Sequence, residues 1–320
     1  MSLSLFSQAA PSVALEIGPG AVSGLALARH GGSPLIAAHA TEPLAPGVVS
    51  PSLTAANVAH PEVLAAAVRE VLAKLGGRPR WVSLVVPDNA AKVSLVRLEK
   101  VPSKAGDLEQ LIRWHVRKAA PFHLEDAQVS WSAGAAPADG GREYVVTLAR
   151  REVVREYEAA CEAAGTTAGV VDLATFSLVN AVLAAGEAGE GDWLLVHVTP
   201  QYGSIGILRG RDLIFFRNRA EGADETLADL VHQTAMYYED RLGGSSGFAR
   251  VLLAASGADE SESGRALDAV RRQVEERLRV KTRTFDASGL ARFADRISAD
   301  RGVLQAMTPL LGVLARGMGA

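Results

Sequence analysis

Few residues of this 320-residue chain are of types that do chemistry. Cys161 is the single cysteine, so an internal disulfide and a cysteine-cluster metal site are both excluded. It shares a helical face with Val154 and Tyr157 and reads as packed rather than nucleophilic. His197 stands among apolar strand neighbours with no second His, Cys or carboxylate at ligand spacing. It reads as a hydrogen-bonded core histidine in preference to a metal ligand or a base. Glu16 is followed by Gly18 and Gly20, and glycines in such a turn let backbone N–H groups approach an anion while a carboxylate orients Mg²⁺ through water. A plain polar or salt-bridge role is the alternative for Glu16, and the favoured one.

The elements that must position these residues follow from periodicity. Val13 to Ile17, Val22 to Ala28 and Leu35 to His39 read as strands, followed by a helix from Pro61 that Gly76 and Gly77 stop, then a buried strand from Trp81 to Val86. The same β-β-β-α-β order returns in Trp193 to Val198, Gly203 to Arg209, Asp212 to Asn218, a helix from about Asp224 to Leu242, and Val251 to Ala254. The chain reads as internally duplicated, in the layout of the actin and sugar-kinase class, with a mixed sheet in each half and a cleft between. A helix near Arg265 to Arg279, an extended Val280 to Phe285 and an apolar helix from Val303 to Met318 complete it. Residues from about 92 fit neither copy: strands at Val93 to Leu98, Val129 to Ala133 and Tyr144 to Ala149, the last two around an Asp139-Gly140-Gly141 turn, with helices ending at Pro121 and at Gly165. The expected fold class is therefore α/β: a duplicated actin-like (ribonuclease H-like) two-lobe fold with a small α+β inserted subdomain. Its expected limits are 1–90, 91–172 and 173–320, with part of 300–320 free to pack back on the first lobe.

At 48% hydrophobic and 22% charged residues the chain can bury a large core, and a formal charge of −3 makes a dedicated nucleic-acid binder unexpected. No basic apolar leader and no run of roughly 18 apolar residues occurs, and with one cysteine this predicts a cytoplasmic protein without a membrane span. Lysine occurs only at positions 74, 92, 100, 104, 118 and 281, which with the abundant alanine reads as compositional drift.

Several segments, in order, resemble the type IV pilus assembly protein PilM family, relatives of the cell-division protein FtsA. They are Phe6 before Ala14-Leu15-Glu16-Ile17-Gly18, Leu111-Ile112-Arg113-Trp114 running into Ala120-Pro121-Phe122 and Glu125-Asp126, and Ala164-Gly165 before Val170-Val171-Asp172. Phe215-Phe216-Arg217 before Glu221-Gly222, Tyr237-Tyr238, and Pro309 to Ala315 follow. The resemblance covers almost the whole chain. It implies two actin-like lobes plus the insert, a groove between first lobe and insert that takes the cytosolic tail of the bitopic membrane protein PilN, and ATP in the cleft.

Set against that family's phosphate hairpins, this chain departs at most positions. The first hairpin's Asp-Ile-Gly-Ser-Ser-Ser-Val-Lys falls on Glu16, Ile17, Gly18, Pro19, Gly20, Ala21, Val22 and Ser23, so a backbone donor, hydroxyls and the lysine are lost. In the second, His197 replaces Asp and Thr199 replaces Gly, with Pro200 next and Gly203 beyond; near the adenine position only Ser256-Gly257 supplies a glycine. These departures predict a pseudo-ATPase with no catalytic residue and no metal, and disfavour ATP or ADP with Mg²⁺ as a cofactor. Leu84, Val86, Arg97, Arg113, Arg117 and Phe122 are the residues expected at the partner groove, an apolar floor with basic edges, where a tail adds strand hydrogen bonds. The expected role is an adaptor of a type IV pilus or related secretion platform, peripheral to the inner membrane through its partner, with a homo-oligomeric ring left open. The competing readings are an active actin-like ATPase and a sugar-kinase-class enzyme. The last helix reads as a core helix in preference to an amphipathic membrane anchor.

Overall fold

The computed structural model describes residues 11–30, 33–137, 140–220, 226–244, 247–257, 260–293 and 301–317. Strand β1 (Val13–Ile17) is apolar up to Glu16 because both faces of the sheet around it are covered. It pairs antiparallel with β2 (Ala21–His30), which pairs in turn with β3 (Ser33–Pro43). Helix α1 (Pro61–Lys74) opens on Pro61 and buries Leu64, Val68, Val71 and Leu72 along one stripe; Gly76, at φ +80°, ends it where other residues would be strained. It carries the chain over to β4 (Trp81–Val86), parallel to β1.

A 3₁₀ turn, Asp88–Ala90, then leads into the insert: β5 (Ala91–Leu98), α2 (Ala105–Val116), β6 (Ala127–Ala133) and β7 (Arg142–Arg150), whose three strands form one sheet in the order β5-β7-β6. The structure draws the insert tighter than 91–172. Helix α3 (Arg151–Ala163) packs Val153, Tyr157, Ala160 and Cys161 into the first lobe's core, and β8 (Thr167–Leu173) joins that lobe's sheet parallel to β4. Cys161 is fully buried, and burial with Glu158 and Glu162 pushes its thiol up to about 12, away from nucleophilic use.

Helix α4 (Ala174–Ala184) leads to the second lobe, with β9 (Asp192–Val198), β10 (Tyr202–Arg209), β11 (Asp212–Ala220), α5 (Leu227–Arg241), β12 (Arg250–Ala255), α6 (Glu260–Leu278) and β13 (Thr282–Thr284). The two large sheets repeat one topology, β3-β2-β1-β4-β8 in one and β11-β10-β9-β12-β13 in the other, with β14 (Arg292–Phe293) added beside β3. Duplication is thus strand for strand. Helix α5 begins at a capping box, in which Thr226 and Asp229 each accept the other's backbone N–H; the expected start at Asp224 lies outside the described residues, as do Phe6, Asp139, Glu221, Gly222 and Met318.

The expected last helix is two, α7 (Arg301–Ala306) and α8 (Thr308–Gly317), because Pro309 has no N–H to continue a helix and is accommodated in the first turn of a new one. Helix α8 packs along α4 and reaches β1 and β4, with Leu310, Leu311 and Leu314 buried, which is a core helix rather than a membrane anchor. One apolar cluster joins Ala14, Leu25 and Val85 of the first sheet to Trp193, Leu195 and Leu252 of the second through α4 and α8. The close approach of those helices needs Gly312, where an added methyl would overlap the Ser177 carbonyl oxygen. Gly312→Ala should therefore destabilise the protein by about 3 kcal/mol in denaturant titration, whereas Gly20→Ala, with nothing within 4 Å of the added methyl, should not.

Candidate functional site

At the back of the junction between the lobes lies a fully enclosed polar cluster. Asp88, Thr175, His197 and Ser204 are 0% exposed and Ser256 is 4% exposed. Asp88 follows β4 through Pro87, Thr175 begins α4, His197 and Ser204 face each other across β9 and β10, and Ser256 follows β12. The Asp88 carboxylate accepts from Thr175 N at 3.0 Å, from Ser204 Oγ at 2.6 Å and from the Thr175 hydroxyl. Since that hydroxyl gives its proton to Asp88, His197 must donate Nδ1–H to Thr175 Oγ1 at 2.8 Å, and in its neutral form accepts from Ser256 Oγ at Nε2, also 2.8 Å. Burial alone would raise the Asp88 carboxyl; His197, Ser204 and Thr175 outweigh it and hold the group below the usual carboxylate range.

In front of this cluster opens a cleft of about 260 Å³, lined by Glu16, Gly18, Pro19, Gly20, Ser23, Thr199, Pro200, Gln201, Ser256 and Gly257 among others. Several of its backbone donors are already engaged. Gly18 N donates to Ala21 O at 2.9 Å, Thr199 N to Tyr202 O at 3.0 Å, and Ser256 N to Val198 O at 3.1 Å. Gln201 N and Tyr202 N both donate to the Thr199 hydroxyl oxygen, at 3.3 and 2.9 Å. The Glu16 carboxyl is pushed up to about 8, by burial first and by the Asp88 charge second, so near neutral pH it is mostly protonated. No described cation pairs with it. With Pro19 and Pro200 lacking N–H groups, this set does not fit a magnesium-bound triphosphate, and the cleft falls below the roughly 300–1,000 Å³ usual for ligand pockets.

A larger groove of about 650 Å³ runs between the first lobe and the insert. One wall is β8, which ends the six-stranded sheet and so has an unpaired edge; the other is the insert sheet, where β6 is likewise terminal. Val145, Thr147 and Ala149 of β7 and Ser130 and Ser132 of β6 face it, Arg155 and Glu158 of α3 stand along it, and the ion pair Asp172–Arg316, 3.2 Å, closes one side.

A family model described as type IV pilus assembly protein PilM matches residues 14–241. The chain belongs to the PilM family. A solved PilM–PilN type IV pilus biogenesis complex is similar at a TM-score of 0.81 and 18% identity, over 98% of this chain and 100% of that one. The ethanolamine utilization protein EutJ from Carboxydothermus hydrogenoformans is similar at 0.50 and 10%, over 96% and 91%. A protein of actin-like ATPase fold and unknown function from Bacteroides thetaiotaomicron gives 0.49 and 9%, over 93% and 94%. With the duplicated sheets, the fold is the two-lobed actin-like one.

The residues expected at the nucleotide cleft divide in the structure. Glu16, Gly18, Gly20, Ser23, Thr199, Ser256 and Gly257 line the cleft. His197 lies behind it, and Gly203 is a packing position where a methyl would meet the Leu227 side chain at 2.6 Å. Of the six residues expected at the groove, Val86 alone lines it. Leu84 is buried in the first lobe's core. Arg97 is on β5, at the far edge of the insert sheet, Arg113 pairs with Glu109 at 3.0 Å on α2, Arg117 follows that helix, and Phe122 packs into the core beneath it. Val146 and Leu148 turn towards α2, whereas Val145 and Thr147 turn towards the groove, so the helix and its arginines lie on the covered face; Arg97 shares the Val145 face through its pairing with Glu143 but stands on the strand farthest from β6. Asp88, Thr175 and Ser204 escaped sequence reading, although a serine inside the apolar run Tyr202 to Leu208 signals a buried hydrogen bond.

Two outcomes follow. Asp88→Ala leaves His197 and two hydroxyls facing an empty site and should cost about 3–5 kcal/mol in denaturant titration; the wild-type share from the lowered Asp88 pKa is present above the unfolded carboxylate pKa and lost as pH falls below it. Glu16 has the opposite sign. Its raised folded pKa means stability is greatest below the unfolded value of 4.5 and declines as pH rises towards about 8, so Glu16→Gln should match wild type in thermal melts at pH 4 and exceed it at pH 8.

Proposed function

We propose that this chain is a cytoplasmic adaptor of a type IV pilus, or related secretion, inner-membrane platform, which takes the cytosolic tail of a PilN-like bitopic membrane protein and turns over no ATP. The observation that carries this reading is the groove: about 650 Å³ of mixed polar and apolar wall beside the unpaired edge of β8. An extended tail there adds backbone hydrogen bonds to the sheet edge and places alternate side chains against β7 and α3. Family membership and the likeness to the solved PilM–PilN complex support the choice of partner. Among the described residues no helix is long and apolar enough to cross a membrane, and a tethered tail offers a means of peripheral attachment.

The pseudo-ATPase reading rests on the cleft, where the hydroxyl of Thr199 occupies the N–H groups that a phosphate would need. Calorimetry of the full chain tests both parts. A peptide copying the cytosolic tail of the neighbouring platform membrane protein should bind saturably, and Mg-ATP should neither shift the melting temperature nor release phosphate. Gly169→Arg, at an exposed β8 position where a Cβ meets only ordinary contacts, should reduce peptide affinity at least about tenfold with an unchanged melt. A nucleotide shift with turnover would sink the pseudo-ATPase reading; peptide affinity untouched by Gly169→Arg would sink the groove.

A further inference from the structure

Of six lysines in the chain, Lys92, Lys100, Lys104 and Lys118 fall within residues 92–118. That stretch holds seven basic and three acidic residues, in a chain of net charge −3. The lysine pattern, which in the sequence looked like compositional drift, acquires a place in the structure. All four are exposed on the insert, and none forms an ion pair among the described residues. Some arginines elsewhere are tied: Arg209 to Asp192, Arg277 to Asp229, Arg316 to Asp172. Amid the insert's basic residues α2 presents Trp114, 67% exposed, while Ile112 and Val116 of the same helix are buried against the insert sheet. Helical spacing places Arg117 and Lys118 one turn beyond Trp114 on the outward stripe. Val101, 43% exposed in the loop entering α2, is a second apolar tip. The acids nearby offset the charge only in part: Glu109 is engaged by Arg113 and Asp107 stands at the other end of the helix, while exposed Glu99 sits beside Lys100 and exposed Glu125 and Asp126 follow the helix.

We propose that this outer face of the insert binds an anionic phospholipid surface. Lysine is depleted at protein–protein interfaces, where arginine takes the charged positions, whereas membrane surfaces attract unpaired lysine and arginine alike and hold tryptophan at headgroup depth. Each basic residue near such a surface is worth about fivefold in binding. The face lies across the insert sheet from the groove, so lipid and a tail need not compete, and the inference does not depend on the tail reading.

Co-sedimentation of the full chain with phosphatidylcholine vesicles, with and without phosphatidylglycerol, tests it. The chain should pellet with the anionic vesicles only, and less as salt rises. Both Trp114→Ser and the pair Arg117→Glu with Lys118→Glu should lower binding by about tenfold or more, with melts unchanged because all three side chains are exposed. No pelleting with anionic vesicles, or undiminished pelleting of either variant, would overturn the proposal. So would a soluble acidic polypeptide that binds the face more tightly than the vesicles do, which would assign it to an acidic protein.

Discussion

A carboxylate sealed from water has to be met on nearly every lone pair, because an uncompensated buried charge costs far more than the whole stability of a domain. Asp88 is such a group, and it is met from both lobes: by the amide and hydroxyl that start α4 and by Ser204 in the middle of β10, with His197 behind the hydroxyl, bonded to it at 2.8 Å. These bonds tolerate only a few tenths of an ångström. They therefore set the register of β9 and β10 against the end of β4, and with it the width of the cleft in front. The same cluster holds Ser256 through His197, so three strands and a helix converge on one negative charge. The lobes are bridged by side chains of the chain itself, and the apolar cluster running through α4 and α8 makes that bridge continuous with the core.

Charge placement also explains the state of the cleft. Asp88 keeps its proton off because of its partners; Glu16, a few residues' width away and with none, feels both desolvation and the Asp88 charge and holds its proton on. Two carboxylates at one junction thus diverge by environment alone. A second turn that closes on its own Thr199 hydroxyl removes two donors more. Neither feature needs the other, yet both act against a bound anion, and a single glycine-rich hairpin with one carboxylate would have suggested the reverse.

How much of this was legible depended on whether the signal was local. Val13–Ile17 and Trp81–Val86 were read to the residue because apolar runs bounded by proline or glycine are local facts. The duplication was legible because it repeats such facts in order. β8 and α4 went unassigned, since the Thr167 to Ala184 stretch is apolar nearly throughout and neither period stands out. Pro309 was available to divide the last helix, but the apolar run masked it. For the candidate sites, hairpin positions placed most cleft residues, because they are neighbours in sequence. The cluster around Asp88 draws on positions 88, 175, 197, 204 and 256, and no spacing rule connects them.

Five of the six residues expected at the groove lie elsewhere for a sharper reason. In a strand the side-chain period is two, so shifting attention by one residue exchanges the faces of a sheet. Choosing Arg113, Arg117 and Phe122 selected α2 and the face of the insert sheet that it covers, and choosing Arg97 selected the far edge strand of that sheet. The open face is built from Ser130, Ser132, Val145 and Thr147, small or neutral side chains with nothing to recommend them in a sequence. Such a lining suits the strand addition proposed for it, because long charged side chains along an edge repel an incoming strand, while short ones leave the backbone reachable. Arg113, Arg117 and Lys118 are thereby placed away from the groove. They stand on or just after the helix that presents an exposed tryptophan, so one small sheet separates two surfaces of different chemistry.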